Sequence, residues 1–418
     1  MKILTVSLHN DVFGAGRAAY RLHSGLYQQT GCEAQMLVGI RQQPDTTVKE
    51  YFKGNLKKTI FQMGIKLNQL PLKPYHCDDQ YFFSVDLFAH SIYKTINHIN
   101  PDVVHIHWIN HGFMPLKSFT RLNMPIVLSC HDMWYFTGGC HYDESCNRYT
   151  QGCGRCPALK SGSTNDLSSR QYLKKHKIYQ QLGKNLTVVG LSRWMHQSAV
   201  ESNLFGNNRL VQLPNCIDTE LFKPMDKRIA RHLLNLPQDK PLVLFGAVDA
   251  TSDIRKGYQH LKEAFTMMHN TPTLVIFGDE RNSNKRIDNQ RFEEHHVGYI
   301  KDEHTLMLLY NAADITVLPS RQENLPNVVM ESMACGTPVV AFNVGGNRDM
   351  IDHNQNGYLA QPFLSAEMAN GIDLLIDNPD LCRRMGSIAR QKIASEFNVQ
   401  SVSRQYMQLY QSIIDGRS

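Results

Sequence analysis

The stretch SRQENLPNVVMESMACGTPVV (residues 320–340) places two carboxylates, Glu323 and Glu331, eight residues apart around a predicted helix start. Pro326 fits the first turn of this helix and Asn324 fits the capping position before it. A helix start offers unpaired backbone N–H groups and a positive dipole end, which suit a diphosphate, while a carboxylate accepts hydrogen bonds from sugar hydroxyls. A surface helix with two solvated glutamates is the ordinary alternative.

The length of the chain predicts two domains. At 418 residues it exceeds one ordinary core and accommodates two α/β domains of about 200 residues each. Its apolar runs fall short of the roughly 20 residues that span a bilayer, and the start MKILTVSLHN lacks the long apolar region of a signal peptide. We therefore expect a cytoplasmic protein.

Positive charge is concentrated in the first half of the chain. Residues 1–215 contain 23 Lys and Arg against 13 Asp and Glu, whereas residues 216–418 contain 21 against 25. A basic half indicates an anionic partner such as a phospholipid surface, a lipid-linked phosphate or a nucleic acid, and charge alone does not choose among them.

Apolar runs separated by helix-length segments predict a parallel, doubly wound sheet in each half. In the first half the predicted strands are residues 2–8, 34–39, 102–106, 125–129 and 186–192. In the second half they are residues 241–248, 273–279, 295–300, 314–320 and 337–342, with helices near residues 258–268 and 303–312. The turn-rich stretch RLVQLPNCIDTELFKP (residues 209–224) is the predicted crossover between the halves.

These elements predict three parts of the chain. Residues 1–215 form an N-terminal, acceptor-side domain with a cysteine-rich loop at 140–156, and residues 216–395 form a C-terminal, nucleotide-binding domain. Residues 396–418 form a helix that we expect to pack back on the N-terminal domain. Two such sheets in tandem leave a cleft between them, and ligands bind beyond the carboxyl ends of the strands.

Three motifs in the second half resemble one enzyme family. The E-x7-E motif is preceded by NAADITVLPS and followed by ACGTPVVAFNVGG, as in retaining glycosyltransferases of family 4. This resemblance implies the GT-B fold, in which two Rossmann-like αβα domains face each other across a cleft. The segment CHDMWYFTGGCHYDESCNRYTQGCGRCPAL (residues 130–159) further resembles a subgroup acting in exopolysaccharide and colanic-acid synthesis.

The resemblance implies roles for the donor-side residues. In the family, the second glutamate of the motif, here Glu331, holds the ribose hydroxyls, and the first, here Glu323, lies against the donor sugar. Lys256, before a glycine, matches the lysine that neutralises the β-phosphate as the leaving group departs. The family's other phosphate-binding arginine is missing from FGAVDATSD, and Arg255 is the candidate substitute. The intervening residues would present backbone amides to sugar and phosphate; these are Asn324, Leu325, Pro326 and Asn327.

Two further features point to the N-terminal side of the cleft. Gly14 and Gly16 in VFGAGRAAY match a dinucleotide pattern, but the second strand ends without the acidic residue that a nicotinamide cofactor needs. The resemblance instead implies a glycine-rich loop that lets the backbone approach the donor diphosphate. His131 follows the strand IVLSC, and in related transferases a histidine in this region contacts the donor sugar; a structural histidine is the alternative.

Four cysteines cluster in one polar, turn-rich loop. Cys140, Cys146, Cys153 and Cys156 end in a C-x2-C pair, which suits tetrahedral thiolate coordination of a structural zinc ion, with His141 as a competing ligand. A closed four-thiolate site leaves no open position for substrate. A catalytic metal is not expected, because the D-x-D motif typical of GT-A transferases is missing from the sequence.

The segment EYFKGNLKKTIFQMGIKLNQLPLKPYH (residues 50–76) is basic and interleaved with apolar residues. It predicts either peripheral contact with the cytoplasmic face of the inner membrane or an amphipathic helix packed on its own domain.

The full interpretation is a retaining glycosyltransferase that moves a sugar from a nucleoside-diphosphate sugar to a glycan, such as a lipid-linked surface-polysaccharide precursor. The alternatives are a sugar-nucleotide epimerase of similar architecture and a zinc-containing nucleic-acid-binding protein.

Overall fold

The computed structural model describes residues 1–10, 13–42, 44–77, 81–87, 90–278 and 292–416. The chain divides into two compact units, residues 1–215 with 402–418, and residues 216–401. Each unit is built on one parallel sheet packed against helices. No helix among the described residues combines the length and the apolar character needed to cross a bilayer.

The first unit contains a seven-stranded sheet of order β3-β2-β1-β4-β5-β6-β7. The strands are β1 Lys2–His9, β2 Glu33–Ile40, β3 Val48–Glu50, β4 Val103–Ile106, β5 Ile126–Cys130, β6 Leu186–Gly190 and β7 Arg209–Gln212. The helices before residue 215 are α1 Phe13–Tyr27, α2 Asn55–Gln69, α3 Ile92–Ile99, α4 Leu167–Leu182 and α5 Arg193–Glu201. The central strands are buried along their length because helices cover both faces of a parallel sheet.

The second unit contains a six-stranded sheet of order β10-β9-β8-β11-β12-β13. The strands are β8 Leu242–Gly246, β9 Thr273–Phe277, β10 Glu294–Gly298, β11 Ile315–Leu318, β12 Val339–Phe342 and β13 Gly357–Ala360. The helices are α6 Lys227–Leu233, α7 Tyr258–Met267, α8 Glu303–Ala312, α9 Asn327–Ala334, α10 Asn347–Met350, α11 Ser365–Asp377 and α12 Pro379–Glu396. Every residue of β8, β9, β11 and β12 is buried.

The last helix, α13 Val399–Asp415, packs within the first unit over residues 402–415. The hydroxyl of Tyr410 lies 2.7 Å from Nδ1 of His105, and Arg209 donates to the hydroxyl of Ser412 at 2.9 Å. Tyr406 and Tyr410 are both buried. These contacts add a buried polar and aromatic layer to the first unit.

The predicted α/β class and doubly wound parallel sheets are confirmed. The sequence interpretation was wrong at residues 209–212, which form β7 rather than part of a turn-rich crossover, and it missed β3 and β13. All three strands lie at sheet edges and have three or four residues each. Short edge strands are half-exposed and so lack the long apolar run by which a central strand is found.

In each sheet the strand order reverses once, between β1 and β4 and between β8 and β11. Loops that leave the carboxyl ends of two such strands diverge to opposite faces of the sheet, which opens a crevice between them. The residues that follow these four strands are therefore the first place to look for a site.

Candidate active site

In the second unit, three charged side chains meet beyond the carboxyl ends of β8 and β11. Nζ of Lys256 donates to Oε1 of Glu323 at 2.7 Å, and NH1 of Arg255 donates to the same oxygen at 3.2 Å. The Glu323 residue is only 6% exposed. The structure thus brings together three residues that the sequence predicted for one site.

A glycine with a left-handed backbone holds the lysine in place. Gly257 has φ +73°, and a Cβ there would lie 1.9 Å from the carbonyl oxygen of Pro319, just after β11. The turn before it is stabilised by Asp253, whose carboxylate accepts from the backbone N–H of Arg255 at 2.9 Å. The lysine-glycine pair is therefore a packing requirement, since only glycine lets the turn after β8 approach the end of β11 so closely.

Two neighbouring glycines, Gly345 and Gly346, hold the backbone of Glu323. Gly345 has φ +52°, a Cβ there would lie 1.8 Å from the Glu323 carbonyl oxygen, and the N–H of Gly346 donates to that oxygen at 3.1 Å. Because the loop after β12 contacts and hydrogen-bonds this backbone, the carboxylate of Glu323 projects from a fixed position.

Electrostatics favour a charged Glu323. Burial opposes ionisation of this carboxyl, but the positive charges of Lys256 and Arg255 outweigh it and lower its pKa below the ordinary value. The pKa of Lys256 is also lowered, chiefly by burial and then by its neighbour Arg255. Lys256, Arg255 and Glu323 therefore form a partly desolvated cluster of opposite charges, a type of group that is enriched at functional sites.

The E-x7-E motif has the predicted division between loop and helix, with one correction at the helix start. Helix α9 begins at Asn327, Pro326 occupies the capping position, and no side chain among the described residues caps it. Asn324 was predicted as the cap and instead lies buried in the preceding loop, next to the buried Leu325. Proline fits here because a capping residue has extended backbone, φ −69° and ψ 126° in this case.

Glu331 lies inside α9 and is 2% exposed. Its Oε2 atom accepts a hydrogen bond from the hydroxyl of Tyr310 at 2.8 Å, across from the last turn of α8. Sequence reasoning missed Tyr310, because a lone tyrosine in an apolar helix is indistinguishable from a core residue until the neighbouring helix is known.

In the first unit, His131 follows β5, as predicted, and its Nε2 lies 2.8 Å from Nδ1 of His107. Burial lowers the pKa of His131 to about 4 and also lowers that of His107. Both rings are therefore neutral at pH 7, so one nitrogen of the contact donates and the other accepts. Such a pair orients His131 without adding positive charge.

The neighbouring Asp132 has a structural role. Its carboxylate accepts from Nε1 of Trp108 at 3.0 Å, from the N–H of Trp134 at 2.9 Å and from Nδ1 of His141 at 2.7 Å. The other ring nitrogen of His141 lies 2.8 Å from the hydroxyl of Ser84. With both nitrogens hydrogen-bonded within the protein, His141 is not arranged as a metal ligand.

Gly14 and Gly16 lie in the first turn of α1 rather than in the predicted glycine-rich loop. A Cβ at Gly16 would lie 3.1 Å from the carbonyl oxygen of His9, at the end of β1. Gly16 therefore allows close approach of helix and strand, and Gly14 is exposed.

The four cysteines of the 140–156 loop line one pocket. Within the part of the chain that the structure describes, no group of three or more His, Cys, Asp or Glu side chains is arranged to hold a metal ion, so the structure gives the expected zinc no support. The neighbouring Cys140 side chain, with backbone N–H groups of Leu159 and Ala158, lowers the pKa of Cys156 to about 7 against the effect of burial.

Comparisons with known proteins agree on one family. A model described as "Glycosyltransferase Family 4" matches residues 14–221, and one described as "Glycosyl transferases group 1" matches residues 226–392. A colanic acid biosynthesis glycosyl transferase, WcaC of Escherichia coli (strain K12), is 26% identical over 64% of this chain and 67% of its own length. The matches span about two thirds of the length of such curated relatives.

Solved structures show the same fold over nearly the whole chain. Sucrose-phosphate synthase from Thermosynechococcus elongatus matches with a TM-score of 0.69 and 19% identity, covering 99% of each chain. HepE of Anabaena in complex with UDP-glucose matches with a TM-score of 0.65 and 16% identity, covering 99% of this chain and 100% of that one. The GT-B fold is thereby confirmed, and the comparisons give no support to the epimerase or nucleic-acid-binding alternatives.

Proposed function

The chain belongs to the glycosyltransferases, with a family 4 domain followed by a group 1 domain, and from that premise we propose that it transfers a sugar from a nucleoside-diphosphate sugar to a glycan with retention of configuration. The observation that carries the proposal is the cluster of the half-buried Lys256 and Arg255 with the buried Glu323, beside the start of α9. A cation pair next to a helix start suits a diphosphate, and buried carboxylates suit sugar hydroxyls.

The two glutamates of the E-x7-E motif bind different parts of the donor. Glu331, inside α9, takes the ribose hydroxyls, and Glu323, in the loop before it, takes the donor sugar. The Lys256 ammonium has three N–H donors and directs one of them to Glu323. We assign Arg255, which donates to the same carboxylate, to share the diphosphate charge in place of the arginine missing after β8. Backbone N–H groups of Asn324, Leu325 and Asn327 complete the donor site, since Pro326 has none to donate.

The proposed reaction exchanges one bond for another at the anomeric carbon. The bond from this carbon to the β-phosphate oxygen breaks as the acceptor oxygen bonds to the same face, and the acceptor proton passes to the departing diphosphate. Negative charge grows on the leaving group, and Lys256 stabilises it; a preorganised donor of this kind is worth about 10²–10³ in kcat. The neutral His131 would contact the donor sugar without opposing the positive charge that develops on the ring. The Gly14–Gly16 turn remains our proposal for backbone approach to the diphosphate.

A thermal-shift panel of UDP, GDP and ADP tests the donor site. One diphosphate should raise the melting temperature of the wild type, and Glu331→Ala should abolish most of the shift. Lys223→Met, which removes an exposed lysine of the same unit, should leave the shift unchanged. A panel without any response, or a full response in Glu331→Ala, would overturn the assignment. NMR of the product's anomeric proton then decides between retention and inversion.

We further propose that the acceptor is a lipid-linked surface-polysaccharide precursor and that α2 contacts an anionic membrane surface. The name of the WcaC relative supports the pathway. The structure supports the contact, because Leu56, Ile60 and Met63 give α2 an exposed apolar stripe at spacings of four and three residues, and Leu70 follows just after the end of the helix. Leu56, Ile60, Met63 and Leu70 are 75%, 48%, 58% and 44% exposed. The opposite side packs inward through Phe61 and Asn68.

Charge favours a bilayer over a second copy of the chain at this face. Exposed lysines flank the apolar stripe, and residues 51–77 contain no Asp or Glu. Two such faces would repel each other, whereas an anionic lipid surface attracts each lysine by about 1 kcal/mol. The flanking lysines are Lys53, Lys57, Lys66 and Lys73.

Flotation with phosphatidylcholine vesicles, with and without phosphatidylglycerol, tests this contact. The wild type should float with the anionic vesicles only, and Ile60→Ser with Met63→Ser should reduce the floating fraction severalfold. Leu173→Ser is the matched control, since Leu173 on α4 is also exposed at 55%. Equal flotation of all three proteins would refute membrane contact through α2. A concentration-dependent dimer that the double variant abolishes would refute it as well, in favour of a second copy.

A further inference from the structure

The geometry assigns Tyr310 as a positioning residue that fixes the Glu331 carboxylate for the ribose hydroxyls of the donor. This inference rests on the proposed function, since it presupposes that Glu331 binds ribose. The two residues lie on neighbouring helices, α8 and α9, and the Tyr310 hydroxyl donates to Oε2 of Glu331 at 2.8 Å. Tyr310 is 0% exposed and Glu331 2% exposed.

Tyr310 is itself held from two directions. Its carbonyl oxygen accepts from the hydroxyl of Thr337 at 2.7 Å, in the turn that leads into β12. Its ring packs edge-on against Phe277 of β9, with centroids 6.1 Å apart and an interplanar angle of 89°. The phenol therefore projects from a rigid base on the sheet.

Helix α9 is anchored through the same turn. The hydroxyl of Ser332, one residue after Glu331, lies 2.9 Å from the carbonyl oxygen of Thr337 and 2.8 Å from the hydroxyl of Thr316 on β11. Thr337 thus connects both helices to the sheet. Tyr310 and Glu331 meet at a fixed separation, and the hydrogen bond sets the rotation of the carboxylate.

This rotation matters for the chemistry of recognition. A glutamate has three side-chain torsions, and a carboxylate that turns freely must be ordered before it can bind the two neighbouring hydroxyls of a ribose. A phenol donor to one oxygen removes that freedom in advance. Tyrosine at this position therefore contributes specificity for ribose, in addition to its packing.

The test compares each nucleoside diphosphate with its 2′,3′-dideoxy counterpart, using whichever of UDP, GDP or ADP stabilises the wild type most. Calorimetric affinities are measured for the wild type, Tyr310→Phe, Glu331→Gln and a control, Tyr179→Phe. Tyr179 is also 0% exposed, and its hydroxyl donates to the carbonyl oxygen of Tyr135 in the first unit, so its loss reports a buried hydroxyl away from α9.

We expect the wild type and Tyr179→Phe to prefer the ribose form at least tenfold. Tyr310→Phe should lose most of that preference by weakening the ribose form about tenfold, with the affinity for the dideoxy form changed less than threefold. Equal weakening of both forms would show a merely structural role and overturn the inference, as would an unchanged preference. If the wild type itself does not distinguish the two forms, or Glu331→Gln keeps the full preference, the ribose assignment of Glu331 fails, and the proposal for Tyr310 fails with it.

Discussion

Replacement of Lys256 by methionine removes the ammonium and keeps most of the apolar volume of the side chain. The lost contact is the 2.7 Å hydrogen bond to Oε1 of Glu323. Removal of one partner from a buried ion pair commonly costs about 3–5 kcal/mol, because the other charge is left alone. Here Arg255 still donates to the same oxygen at 3.2 Å. We therefore expect a smaller loss in the free energy of unfolding, about 1.5–3 kcal/mol, the range of one hydrogen bond to a charged group.

The effect on catalysis should be larger than the effect on stability. If Lys256 stabilises the departing β-phosphate, its loss should lower kcat by about 10²–10³. Hydrolysis of the nucleotide sugar, in which water replaces the natural acceptor and the nucleoside diphosphate is released, measures this rate without knowledge of that acceptor. Urea unfolding measures the stability, and Lys223→Met is the matched control because that lysine is exposed in the same unit. A fall in kcat of less than fivefold in a folded Lys256→Met protein would refute the role in leaving-group stabilisation.

Three further predictions follow from individual contacts. Gly345→Ala should lower the free energy of unfolding by more than the roughly 1–2 kcal/mol that a left-handed alanine costs, because its Cβ meets the Glu323 carbonyl oxygen. Gly31→Ala is the control: Gly31 has φ +80°, and no described heavy atom lies within 4 Å of its Cβ, so this variant should cost only the roughly 1–2 kcal/mol of the left-handed backbone. Urea unfolding measures both. Burial lowers the pKa of Lys175 from 10.5 to about 7, so the unfolded chain binds this proton more tightly and stability rises by about 1.4 kcal/mol per pH unit between pH 7 and 10. Lys175→Met should remove that slope from urea midpoints taken across this range; parallel profiles would contradict it. The pKa of Glu323 is lowered in the folded state, so its contribution to the free energy of unfolding is present above the ordinary value of 4.5 and is lost as pH falls through the folded value. Glu323→Gln should therefore make stability depend less on pH in this range, as measured by acid unfolding followed by circular dichroism.

Much of the second unit was predictable from local pattern. Helix α8 spans the predicted residues 303–312, and Glu323 and Glu331 take their predicted places in loop and helix. These features follow from apolar periodicity and from short motifs whose residues act within one loop or one helix.

Other features escaped sequence reasoning because they depend on residues distant in the chain. Asn324 resembles a cap, yet the loop after β12 holds the preceding residue so that Pro326 takes that position. The cysteine spacing resembles a zinc site, yet the residues that the structure describes contain no group of ligands arranged to hold a metal ion. A spacing limits which arrangements are sterically open and does not choose among them.

By itself, then, the sequence determined the α/β class, the doubly wound sheets and the placement of Glu323 in a loop and Glu331 in a helix, because each depends on hydrophobic period or on neighbours within ten residues. Only the tertiary structure decided which groups face those carboxylates. Lys256 reaches Glu323 from 67 residues away, and Tyr310 reaches Glu331 from 21. Such contacts are created when strands and helices pack, since a side chain's partner across a sheet or between helices is set by register and close approach rather than by its own chain neighbours.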